Sequence, residues 1–214
     1  GKGVEEVGQD RVRFLTRSLL GANGALDFAG ARAALEDLTY HPDCAAAPTA
    51  AQVAFMKDTL DWLEQSPQAQ ALIANATAPA PGQGDTLVRK DTGMTPAAGA
   101  PPPPLTADHT RRALLGAMLT PPRQGDVGSC FATGPVIKHR GNKPLETMQI
   151  LHDLAVNGTF QPVQGDPVHA VTNMRGRGNA LMRSFEYTLA TAGARQAPAR
   201  RNEQLDQSVE RVGA

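Results

Sequence analysis

A segment from Thr77 to Pro104, rich in alanine, proline and glycine, divides this chain and limits what it can build. It contains Pro79-Ala80-Pro81-Gly82 and the run Ala97-Ala98-Gly99-Ala100-Pro101-Pro102-Pro103-Pro104. Such a composition offers too little apolar surface to offset its ordering entropy, and successive prolines favour an extended polyproline conformation. Residues 77–105 therefore read as a linker, either free or docked on its neighbours. Within it, Val88-Arg89-Lys90-Asp91 suggests a short strand or a basic cleavage site.

Both flanks carry helical periodicity. Residues 1–76 read as a helical N-terminal block. Val12, Leu15, Leu19 and Leu20 share one helical face, and Ala31, Ala34 and Leu35 point inward from a helix over 28–38. A third helix, capped by Asp43 or Thr49, presents Val53, Met56, Leu60 and Leu63 as a core stripe. Residues 106–194 follow the linker. A helix over 110–119, capped by Thr106 or Asp108, stops at Pro121-Pro122. A turn is expected at Gly141-Asn142. A helix opened by Pro144 carries Leu145, Met148, Leu151 and Leu154 and ends at Asn157-Gly158. Residues 160–171 suit short strands, and 179–192 suit a helix with Leu181, Phe185 and Leu189 inward. Residues 195–214 form a polar tail. The expected class is α+β, predominantly helical.

The 21 basic and 21 acidic residues balance, so no broad electrostatic footprint draws the chain to nucleic acid or an anionic membrane. Arg175, Arg177 and Arg183 form only a short cluster. No stretch approaches the ~18 apolar residues of a membrane span. The N-terminal residues show no basic region followed by an apolar run, so no signal peptide is visible. Two distant cysteines, Cys44 and Cys130, exclude a disulfide framework. These features suit a cytoplasmic protein or a delivered effector. His41 and Cys44, near Pro42, offer too few ligands for a metal.

The segment Gln124-Gly125-Asp126-Val127-Gly128-Ser129-Cys130-Phe131-Ala132 carries chemistry. A cysteine at a helix start has its thiolate favoured by the helix dipole. Its backbone N–H lacks an intrahelical acceptor and can face an oxyanion. A glutamine amide returned by a glycine turn can supply a second donor. Pro135 requires the helix to be short, kinked or newly begun there.

This string resembles the active-site signature of papain-like cysteine proteases, usually QG-x-CGSC-WA. Gln124, Gly125, Gly128, Ser129, Cys130 and Ala132 match, and Phe131 replaces the usual tryptophan. Val127 stands where secreted members carry a cysteine, so their disulfide has no counterpart. A looser likeness covers 105–157, where a nucleophile helix, a turn and a second helix follow in the family's order. The resemblance implies Cys130 as nucleophile, Gln124 as oxyanion donor, a polypeptide substrate, and no metal or organic cofactor. It also makes residues 1–76 a candidate prosegment, a docking domain being the other reading.

A thiolate nucleophile works with an imidazole base and a group that orients the ring. His139 would lie about 13 Å along the helix axis from Cys130, and His152 borders an apolar stripe. His169, in Val168-His169-Ala170-Val171, resembles the strand that carries the family's base, with Asn173 or Asn179 to orient it. Papain-like proteases place this histidine further downstream. A base beyond Ala214, or on a further chain that completes the site, is the other expectation. The rival to hydrolysis is a non-catalytic helical interaction module, or an effector, that retains the turn.

Overall fold

The computed structural model describes residues 4–40, 48–122, 137–163, 165–172 and 178–196. Among them the architecture is predominantly helical, with one two-stranded sheet. Helix α1 spans Val4–Leu19 and buries Val12, Leu15 and Leu19. A 3₁₀ turn, Ala22–Gly24, leads to α2, Phe28–Tyr40, which buries Ala31, Ala34 and Leu35.

Thr49, not Asp43, starts α3, Ala50–Gln65. The Thr49 hydroxyl accepts the Gln52 N–H, and the Gln52 side chain accepts the Thr49 N–H. This reciprocal pair satisfies two orphan donors of the first turn. Ser66 then ends α3 and caps α4, Pro67–Ala74, by accepting the Ala69 N–H. The Ser-Pro pair is a legible helix start, yet sequence reading had assigned no helix there.

The proposed linker is the principal correction. Residues 83–92 form helix α5, Gln83–Thr92, in which Leu87 and Val88 are fully buried and Asp91 nearly so. Residues 88–91 are helical, not a strand; Arg89 is paired with Asp85 and Lys90 is exposed. Helix α5 packs on α6 (Ala107–Leu119), on α7 (Pro144–Asn157) and on α8 (Ala180–Gln196), and Arg13 of α1 donates to the Lys90 and Asp91 carbonyls at its end. The crossing with α7 is close because Gly84 has no side chain, and a Cβ there would overlap the Ala155 carbonyl. Two apolar side chains suffice once the helices that follow enclose them. The compositional expectation holds at the two ends of the segment, over 77–82 and after Gly93, where residues 97–104 are exposed coil.

The blocks over 1–76 and 106–194 do not stand apart either. One hydrophobic cluster joins Leu15 and Leu19 of α1, Leu60 and Leu63 of α3, Leu114 and Leu119 of α6, Leu151 of α7 and Phe185 of α8. Helix α6 is the central element, with every residue from Ala113 to Leu119 buried. The N-terminal block is thus a wall of the shared core.

Residues 137–142 are helical, so the expected turn at Gly141-Asn142 is absent. Pro144 begins α7 and Gly158, in the left-handed region, ends it. Strand β1, Thr159–Phe160, pairs antiparallel with β2, Val168–His169, in the register Thr159 to His169 and Phe160 to Val168. Helix α8 reaches Gln196, inside the segment expected to be tail. Among the described residues no helix is long and apolar enough to cross a membrane.

Candidate functional site

Cys130 and Gln124 lie outside the described residues, as do Asn173, His41 and Cys44. The frame that holds the motif's two ends is described. Helix α6 ends at Leu119, and the carbonyl of Thr120 accepts a hydrogen bond from Arg140 Nη1 at 3.0 Å. The Arg140 guanidinium lies 4.4 Å from the centroid of the Phe55 ring on α3. Arg140 is buried, and desolvation lowers its pKa to about 9. Among the described residues its Nη2 makes no hydrogen bond. Thr120 and Arg140, on either side of the interval that contains the motif, are thereby tied together.

The four described histidines differ in how they are engaged. His109, at the start of α6, accepts the Thr106 N–H at Nδ1, 2.9 Å away. Burial, followed by the charge of Arg112, lowers its pKa. His139 contacts the Thr147 hydroxyl at 2.8 Å and Glu146 at 3.3 Å, and its ring packs against Phe185, 5.9 Å between centroids. That hydrogen bond from His139 is the main cause of the lowered Glu146 pKa. His152 pairs with Asp153 at 3.5 Å. His169 is exposed on β2, and among the described residues its side chain makes no hydrogen bond.

Asn179, a candidate to orient His169, has a different role: its Oδ1 accepts the Met182 N–H at 2.8 Å. Asp91 completes this cap by accepting the N–H groups of Ala180 at 2.6 Å and Leu181 at 2.9 Å. The first three orphan donors of α8 are thereby satisfied by two buried side chains. Burial raises the Asp91 pKa to about 7, against the opposing pull of those two N–H groups and of the Arg13 and Lys90 charges. Sequence reading missed Asp91 because its partners lie 89 and 90 positions away. Comparison with protein-family models, curated proteins and solved structures finds no match.

Proposed function

We propose that this chain is a thiol hydrolase of papain-like type, acting on peptide or isopeptide bonds. The observation that carries the proposal is the ordered set Gln124, Gly125, Gly128, Ser129 and Cys130. The Cys130 thiolate attacks the carbonyl carbon, and the Gln124 amide and the Cys130 N–H stabilise the oxyanion. Collapse expels the amine, which takes a proton from an imidazolium, and leaves a thioester. Water, losing its proton to the imidazole, then releases the acid and restores the thiol. Among the described histidines His169 is the best suited to be that base, because hydrogen bonds engage His109 and His139 and His152 lies beside Asp153.

The Arg140 to Thr120 tie supports this function by giving the motif a fixed base on a rigid core. Iodoacetamide at neutral pH is the test. An activated Cys130 alkylates well ahead of Cys44, and a fluorogenic peptide is turned over by the wild type and not by Cys130→Ala. Loss of turnover in His169→Gln with Cys130 still reactive assigns the base. Equal, slow labelling of both thiols overturns the proposal in favour of a non-catalytic interaction module.

A further inference from the structure

A cavity of about 90 Å³ lies at the C-terminal end of α5, where α1, α5, α6 and the start of α8 meet. Its wall includes Arg13, Arg17, Arg112, Gly116, Asp91 and Asn179. The volume admits several water molecules or a compact polar group.

Three features of this wall point to a ligand. Gly116 sits inside α6 with ordinary helical backbone, where glycine weakens a helix. No packing excludes a side chain, since a Cβ would meet only Val12 at 3.8 Å and Asn179 Nδ2 and Thr16 Oγ1 at 3.9 Å. The room left by this glycine is the cavity itself. Asn179, only 4% exposed, uses its Oδ1 in the α8 cap, while its Nδ2 makes no hydrogen bond among the described residues. The amide donor of a buried residue thus faces the space left open at Gly116 and is accessible from it.

The third feature is charge. Arg13 is engaged by the carbonyls of Asp91 and Lys90 and by Asp10. Arg17 and Arg112 reach the same cavity from α1 and α6, and among the described residues neither guanidinium has an ion pair or hydrogen bond. Two guanidiniums at one opening, without an ion pair among the described residues, favour a planar or tetrahedral oxyanion.

We propose that this cavity binds a small molecule through its carboxylate or phosphate group, with Arg17 and Arg112 gripping the oxyanion and Asn179 Nδ2 donating to it from within. This site is independent of Cys130. Inorganic phosphate and succinate, titrated against the full chain at constant ionic strength with chloride as control, provide the test. One of the two raises the melting temperature saturably in wild type and in Cys130→Ala. Affinity falls at least tenfold in Gly116→Ala, which narrows the cavity beside Asn179 and itself melts no lower than wild type, and in the double variant Arg17→Met, Arg112→Met. Saturation by phosphate alone assigns a phosphoryl ligand, and by succinate alone a carboxylate. Absence of a saturable shift with both probes, or unchanged affinity in the folded variants, overturns the proposal.

Discussion

The Asp91 carboxylate and the backbone N–H of Ala180 meet at 2.6 Å although 89 positions separate them. Through this contact a short helix from the middle of the chain starts the last one. It also buries an acid that gives the fold a pH signature. The folded carboxyl, at about 7, binds its proton more tightly than the unfolded one at about 3.9. Its contribution to stability is therefore full below about pH 4 and is lost as pH rises through 7. In Asp91→Asn one cap oxygen becomes an N–H donor facing another donor, a loss of about 1–3 kcal/mol. Urea melts should show the wild-type advantage over this variant shrinking as pH rises from 4 to 7. A constant difference across that range would contradict the assignment.

His109 titrates with the opposite sign. Its Nδ1 accepts the Thr106 N–H, and its folded pKa is lowered, chiefly by burial. Its stability contribution is complete above the unfolded value near 6.5 and is lost as pH falls through the lower folded value. His109→Gln supplies a side-chain acceptor that does not titrate there. The variant should match wild type within about 1 kcal/mol at pH 8 and exceed it increasingly below pH 6.5. Thermal melts at pH 5, 6, 7 and 8 check this.

Two glycines should respond to alanine in opposite directions. A methyl group at Gly84 drives into the Ala155 carbonyl, and the resulting strain, about 1–3 kcal/mol, exceeds the gain in helix propensity. A methyl group at Gly116 meets only ordinary contacts and should stabilise the fold by about 0.5–1 kcal/mol. Paired denaturation curves of the two variants decide both signs.

Leu87 tests whether the middle segment belongs to the core. It is fully buried, so Leu87→Ala should cost about 2–5 kcal/mol in a single cooperative transition. A residue in a free linker would shift the denaturation midpoint by far less.

Arg140→Met separates tethering from stability. The unbranched thioether keeps much of the packing against Phe55 and removes a desolvated charge, while the Thr120 carbonyl loses its donor. Stability should change by no more than about 1 kcal/mol. Alkylation of Cys130 should lose its advantage over Cys44, as mass spectrometry of the labelled protein would reveal.

How much of this was legible depended on where each partner lay along the chain. The Thr49–Gln52 cap, the Pro144 start and the Gly158 stop of α7 are local chemistry, decided within a few residues. The apolar stripes of α1, α3 and α8 repeat over enough turns to identify their buried faces. The nine residues around Cys130 likewise state their proposed chemistry in order and spacing. Helix α5 does not, because ten residues between glycine-rich ends carry too short a pattern. Its identity came from Leu87 and Val88 joining the core against helices α6, α7 and α8, which follow it in the chain. The Asp91 cap and the cavity beside Gly116 also arose only on assembly. Local propensity and capping are set by neighbours in sequence, whereas burial, desolvation and the convergence of Arg17, Arg112 and Asn179 are set by neighbours in space.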